Sequence, residues 1–518
     1  MNEINILWAD DEIDLLKPHI LFLEEKGYRV FTATSGDDAL EYLEYQPIDI
    51  VFLDENMPGL TGLETLTKIK ETFSSLPVVM ITKSEEEHIM EDAIGSKISD
   101  YLIKPVNPKQ ILLSVKKNLD TRRLVREKTS SEYQQEFRQL SMRINDRLDA
   151  DEWTEVYRKL VYWELELDKS KGSGMGDILS MQKEEANNSF CRFYEDNYLD
   201  WINGRSEVAP IMSHTLFPKR ILPQVKDGED PLVVICIDNM RYDQWKTIEP
   251  IISNYYRSES EELYYSILPT ATSFSRNALF SGLLPTEIES RYGKQWFTDD
   301  NDFTEEQVLL EGMVKLYGKS VKSEFIHVSN IEEGKKLADT LYNHLHNDLL
   351  VISYNFVDMM THAKTDMEVI KELADDESAY RSVSRSWFDH SPLLEIIQKL
   401  AEKKVRVNLT TDHGSIRVSD PSKVIGDRNT NTNLRYKQGK NLDYQKRDVF
   451  VVDDPREAHL PAPNMNTEYI FSKGDKYFIY PNNYNHFVQF YKDTFQHGGI
   501  SLEEVLIPFV TLSPKNIL

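Results

Sequence analysis

Again and again in this chain an apolar run of strand length closes on an aspartate. Ile4-Asn-Ile-Leu-Trp8 leads to Asp10 and Asp11, and Asp49-Ile-Val-Phe-Leu53 to Asp54. Leu232-Val-Val-Ile-Cys-Ile237 leads to Asp238, the run 349–356 to Asp358, and 405–411 to Asp412. Runs that are apolar throughout suit strands buried on both faces, the strands of a parallel sheet covered by helices. The carboxyl ends of such strands border a common crevice. A single Asp after a strand is usually a helix cap; several on one crevice would repel one another unless a cation sat among them.

A chain of 518 residues is too long for one core, so two or three domains are expected. Residues 1–120 alternate strand-like and helix-like segments, with a further strand at Pro77-Val-Val-Met-Ile81. Residues 121–205 are charged, with apolar residues at helical spacing (Phe137, Leu140, Ile144, Leu148; then Trp153 to Leu167 and Ala186 to Trp201), which predicts a helical-bundle connector. From 206 to 518 the strand–helix rhythm returns on a larger scale, so the whole is α/β. Cys191 and Cys236 are too few for a disulfide framework and read as reduced thiols; with no signal peptide and no apolar run near bilayer length, a cytoplasmic protein is expected. A net charge of −26 disfavours nonspecific binding to duplex DNA or an anionic membrane. A small phosphorylated substrate stays possible if local cations overcome that field.

In the first segment the strand ends supply Asp10, Asp11, Asp54 and Thr82, with Lys104 ahead of Pro105. All-oxygen pockets of this kind suit Mg²⁺, which keeps positions open for water and phosphoryl oxygens. The set resembles the receiver domain of two-component response regulators, a flavodoxin-like fold. The resemblance implies Asp54 (in FLDENMPGLTG) as phosphoacceptor, Asp10, Asp11, Asp54 and Asn56 as magnesium ligands, and Thr82, Lys104 and Tyr101 as the switch residues.

In the last segment further stretches stand at strand ends or glycine turns. Asp358 and His362 form D-x-x-x-H, a spacing that puts both on one face if Asp358 opens a helix. Asp412 and His413 are adjacent, His497 lies in FQHGG, and Thr272 lies in LPTATSFS, where a strand turns into a helix. Taken alone, the Thr/Ser cluster reads as an N-cap, and single histidines read as surface or core residues. Together, Asp, Pro-Thr-x-Thr, Asp-x-x-x-His, Asp-His and His resemble the alkaline phosphatase superfamily in its two-zinc form, most closely the PglZ branch. That likeness implies one zinc on Asp358, His362 and His497, and another on Asp238, Asp412, His413 and Thr272. Thr272 becomes the implied nucleophile, a very weak acid that needs a metal to attack at neutral pH. Arg241, Arg276, Asn277 and Lys294 are candidates to grip phosphate oxygens, and the aromatic residues after 436 candidates to stack nucleobases.

The full architecture resembles the PorX-type response regulators, the family tied to type IX protein secretion and gliding. This implies phosphorylation by a sensor histidine kinase, a phosphorylation-dependent homodimer, and phosphodiesterase activity on oligonucleotides or cyclic nucleotides. It also implies contacts with an alternative sigma factor and with secretion components. The contrasting reading is a non-enzymatic scaffold with structural zinc, but such sites are closed and usually rich in cysteine, whereas this set has no thiolate.

Overall fold

The computed structural model describes residues 4–73, 76–82, 98–169, 175–228, 230–293, 306–358, 360, 376–427, 430–464 and 466–515, the side chains of 120–130 excepted. The chain divides into two compact units, Met1–Gln134 and Gln135–Leu518.

The first unit is a five-stranded parallel sheet of Ile4–Ala9, Tyr28–Ala33, Ile50–Asp54, Val78–Thr82 and Asp100–Ile103, in the order 2-1-3-4-5. Its central strands are buried along their length, so they can be apolar at every position. One face packs Leu7, Val51, Leu53 and Met80 under the Gly36–Tyr45 and Gly62–Thr72 helices; the other packs Trp8, Phe52, Val79 and Ile81 with Ile111 and Val115. Thr61 and Glu64 form a reciprocal capping box that starts the Gly62–Thr72 helix.

The helix expected to begin after residue 120 is continuous from Pro108 to Ile144. No glycine or proline interrupts that stretch past its first residue, so nothing in the backbone stops the helix at the receiver's end. The helices Ala150–Lys169 and Met175–Ile202 follow within the second unit. Their buried stripes (Trp153, Val156, Tyr157, Leu160; Phe190, Tyr194, Tyr198) carry the helical periodicity seen in the sequence.

The second unit is built on a six-stranded sheet in the order Tyr256–Tyr265, Leu506–Pro514, Arg406–Thr410, Leu232–Ile237, Leu349–Tyr354, Ser323–Val328. Leu506–Pro514 is antiparallel to both of its neighbours, and the other strands run in one direction. The carboxyl ends of Leu232–Ile237, Arg406–Thr410 and Leu349–Tyr354 are therefore adjacent on one edge, and each is followed by an aspartate of the predicted site. The return strand brings the segment after His497 to that same edge.

Candidate functional site

In the first unit Asp10, Asp11 and Asp54 bring carboxylate oxygens within 4.8 Å of one another, with Asp10 and Asp54 buried and Asp11 exposed. Lys104 Nζ lies 2.7 Å from Asp54 Oδ1 and 2.9 Å from Asp10 Oδ2. Burial raises the Asp54 carboxyl above its ordinary value, the Lys104 hydrogen bond opposes that, and the Asp10 charge adds to it. The Asn56 amide donates to Asp54 Oδ2 at 3.3 Å. Thr82 is buried at the end of its strand and its hydroxyl donates to Glu55, while Tyr101 is 43% exposed. Three acids with one lysine fit a divalent cation: each added positive charge relieves repulsion that Lys104 alone does not cancel.

In the second unit Thr272, one histidine and two aspartates converge. Thr272 Oγ1 is 3.1 Å from His413 Nε2 and 3.5 Å from Asp238 Oδ1. His413 Nε2 is 3.7 Å from Asp238 Oδ1 and 3.8 Å from Asp412 Oδ2. Asp238, Asp412 and His413 are all buried. Beside them His497 Nε2 lies 3.7 Å from Asp358 Oδ1, and the two imidazoles stack with centroids 4.4 Å apart. His362 and Lys294 lie outside the described residues.

Each histidine is held by its other nitrogen. His413 Nδ1 is 3.0 Å from the Gly414 carbonyl and His497 Nδ1 is 3.2 Å from the Thr270 carbonyl. A carbonyl only accepts, so in the neutral ring Nδ1 carries the proton and Nε2 presents a lone pair inward, the tautomer a metal ligand requires. Among the described residues the buried Asp412 Oδ2 meets no hydrogen-bond donor, and such an atom is costly unless something positive meets it. Burial, and then the facing Asp412 carboxylate, pushes the Asp238 carboxyl well above the usual carboxylate range. A donor set of buried carboxylates and Nε2 lone pairs, repulsive as it stands, fits divalent cations with nitrogen and oxygen preference.

Local backbone explains the placement. Thr272 is the first residue of the Thr272–Ser281 helix, whose N-cap is Ala271 with no side-chain cap bond. The threonine is thus not spent on capping, and its hydroxyl faces Asp238 and His413. Thr270 does the local fastening: its hydroxyl donates to the Gly499 carbonyl at 2.8 Å and accepts from the Gly498 amide at 3.1 Å. Gly414 is obligatory, because a Cβ there would sit 2.0 Å from the Glu503 carbonyl oxygen. Gly498 takes φ +121°, open to glycine alone at little cost.

Two expected phosphate contacts are corrected. Arg241 is buried and bound to Asp243 and Glu377, and Arg276 is buried between Asp238 Oδ2 at 2.9 Å and Glu306 at 2.8 Å. Both guanidinium groups compensate buried carboxylates, which outweighs nearness in sequence to the motifs. Burial raises the Glu306 carboxyl to about 7 despite Arg276. Asn277 Nδ2 donates back to the Ser273 carbonyl. The sequence reading also missed Asn239: its amide donates to Asp412 Oδ1 and its side chain to Asp358 Oδ1, each at 3.3 Å, so it bridges the two groups of acids. Its φ of +61° is a left-handed position that asparagine tolerates; its place directly after Asp238 was the available signal.

An acid cluster on each of the two sheets accompanies a response regulator receiver joined to an alkaline phosphatase-like domain. Family models match along the chain, a response regulator receiver domain at 6–116, a PorX response regulator linker domain at 123–202, and a BREX system PglZ alkaline phosphatase-like domain at 216–512. The chain belongs to the PglZ alkaline phosphatase-like family, in the PorX-type arrangement that places a receiver and linker ahead of that domain. Among curated proteins it is similar to the alginate biosynthesis transcriptional regulatory protein AlgB of Pseudomonas putida, 35% identical over 123 residues, 24% of this chain and 28% of AlgB. It is also similar to the transcriptional regulatory protein ResD of Bacillus subtilis, 32% identical over 115 residues, 22% of this chain and 48% of ResD. The chain thus spans less than half the length of either relative. Among solved structures, a CheY-like receiver domain protein from Methanospirillum hungatei aligns at 26% identity and TM-score 0.23, covering 23% of this chain and 96% of that one. No helix among the described residues is long and apolar enough to cross a membrane.

Proposed function

We propose that the second unit is a zinc-dependent phosphodiesterase with Thr272 as nucleophile, acting on oligonucleotides or cyclic nucleotides under control of the receiver. The observation that carries this reading is the position of Thr272 Oγ1, within hydrogen-bond reach of His413 Nε2 and close to Asp238 at the start of a helix. One zinc would be held by Asp238, Asp412, His413 and Thr272, and another by Asp358, His362 and His497. Bound there, the cations would lower the pKa of the Thr272 hydroxyl and offset phosphate charge, despite the overall −26.

The chain's own groups supply the rest. The Thr272 hydroxyl faces two acceptors for its proton, the His413 Nε2 lone pair at 3.1 Å and Asp238 Oδ1 at 3.5 Å. The oxygen–phosphorus bond forms as the bond to the leaving oxygen breaks; that oxygen departs as an alcohol, taking up the proton Thr272 gave up, and leaves a threonyl phosphodiester. Attack of water on that phosphorus then restores the hydroxyl and releases the product. The N-terminus of the Thr272–Ser281 helix turns its positive end to the non-bridging oxygens. His413 and His497, each fixed through Nδ1, keep the Nε2 face of the site rigid.

In the receiver, a sensor histidine kinase would phosphorylate Asp54, with Mg²⁺ on Asp10, Asp11, Asp54 and Asn56. Lys104 and Thr82 would bind the new charge, Tyr101 would repack, and a symmetric dimer would form. The type IX secretion and gliding role, with a sigma factor or secretion components as partners in the cytoplasm, belongs to the same proposal. The deciding experiment loads the protein with zinc and screens mono-, di- and cyclic nucleotides for hydrolysis. Turnover of a diester class supports the reading, and no turnover of any phosphoester rejects it.

A further inference from the structure

The Met175–Ile202 helix lies before the family match to the effector, yet it reaches into the backbone of the effector's site segments. Asn187, Cys191, Tyr194 and Tyr198 follow the spacing i, i+4, i+7, i+11, one face of the helix, and all are buried. Asn187 Oδ1 accepts from the Leu502 amide at 2.7 Å, and its Nδ2 donates to Glu503 Oε2 at 3.0 Å. Cys191 Sγ donates to the Ile500 carbonyl at 3.2 Å. Tyr194 Oη donates to the Ser266 carbonyl at 2.8 Å, and Tyr198 Oη accepts from the Leu268 amide at 2.9 Å.

These acceptors and donors belong to two segments. Ser266 and Leu268 lead through Thr270 to Thr272, whereas Ile500, Leu502 and Glu503 follow His497. The segments are joined to each other by Ser266 to Val505 at 2.8 Å and by Thr270 to Gly498 and Gly499. The 500–503 segment also abuts Gly414, next to His413. One rigid helix face therefore grips both segments that carry the reactive groups.

We infer that the Met175–Ile202 helix is a positioning element of the effector site, with Asn187, Tyr194 and Tyr198 setting the separation of the segments bearing Thr272 and His497. The inference rests on the phosphodiesterase reading above. Its physical basis is that buried backbone groups must find partners. If the Tyr198 hydroxyl is removed, the Leu268 amide loses its acceptor, and the segment moves to regain one instead of staying in place unsatisfied. Misplacing a reacting group by about 1 Å costs on the order of a hundredfold in rate. The ring packing survives the change, since Tyr198 stacks on Tyr194 at 5.0 Å and phenylalanine keeps that contact.

The test compares Tyr198→Phe and Asn187→Leu in the full chain with Tyr162→Phe, a control on an exposed tyrosine of the Ala150–Lys169 helix. Hydrolysis, zinc affinity by competition with a chromophoric chelator, and amide hydrogen exchange over 266–272 and 497–503 are measured together. Expected are faster exchange in those segments, weaker zinc binding, and a kcat lowered about tenfold or more with KM within about twofold, against no change in the control. Wild-type kcat and zinc affinity in both variants would overturn the inference. Should the wild type hydrolyse nothing, the phosphodiesterase reading fails by itself, and zinc affinity with exchange still decides: unchanged values overturn the positioning role, lowered affinity with faster exchange upholds it.

Discussion

Replacing Gly414 by alanine probes the site without touching any proposed ligand. The new Cβ would lie 2.0 Å from the Glu503 carbonyl oxygen, a backbone atom with no rotamer to retreat into. Relieving the clash takes roughly 1 Å of movement in either the 412–414 turn or the 500–503 segment. The first carries Asp412 and His413; the second follows His497 and is fastened to Asn187. Overpacking of this kind costs about 1–3 kcal/mol of stability, which a domain this well buried survives. Displacing His413 by about 1 Å from Thr272 and Asp238 should lower kcat by around a hundredfold. Hydrolysis of a chromogenic phosphodiester, zinc content and urea unfolding together separate these effects. A folded Gly414→Ala protein with wild-type kcat and full zinc content would refute the reasoning, because the contact would then be slack and the histidine not held by it.

Thr272→Val should remove turnover by at least about a thousandfold while circular dichroism and melting stay near wild type; near wild-type hydrolysis would exclude Thr272 as nucleophile. Chelation should stop hydrolysis, with zinc restoring it better than magnesium, and full recovery on magnesium alone would contradict the two-zinc assignment. Beryllofluoride with Mg²⁺ should shift sedimentation from monomer toward dimer in the wild type and not in Asp54→Ala; a complete switch would need about 5.5 kcal/mol of differential binding, so partial conversion is expected. Burial lowers the Lys437 ammonium to about 7 from its ordinary 10.5. The unfolded chain then binds more protons than the folded one between these values, so stability rises with pH across that window and the penalty is full below about 7. Lys437→Met should therefore stabilise most at neutral and acidic pH and least near 10.5, as read by unfolding across a pH series; a pH-independent difference would contradict the assignment.

The parallel strands of both sheets were legible because the central ones are buried on both faces, so Leu232–Ile237 and Ile50–Asp54 are apolar runs that end visibly at an aspartate. Asp238, Asp412 and His413 come together for the same reason: each stands just past the end of a buried strand. Arg276 was misread since its role depends on Glu306, thirty positions away in sequence and in contact only after folding. Tyr194 and Tyr198 read as helix core, which they are, but periodicity records only that a face is covered. It does not say that the covering includes the Ser266 carbonyl and the Leu268 amide. The unbroken Pro108–Ile144 helix shows the same limit, since a shift in composition near 120 marks a change of surroundings and not an end to the backbone's hydrogen bonding.

Glu261 shows how far the linker helices have been absorbed. It sits within the Tyr256–Tyr265 strand and receives Arg158 from the Ala150–Lys169 helix, along with the Tyr242 hydroxyl and the Trp245 indole. On the other side of that linker, Arg381 pairs with both Glu164 and Asp243. A chimera that grafts residues 206–518 onto a foreign receiver would leave Glu261 without Arg158 and Arg381 without Glu164. It would also leave the Leu268 and Leu502 amides without acceptors. The transplantable piece is thus longer than the family match: it includes the Ala150–Lys169 helix, and since the compact unit opens at Gln135, any exchange of input domains for this effector, by recombination or in the laboratory, has to cut on the receiver's side of that residue.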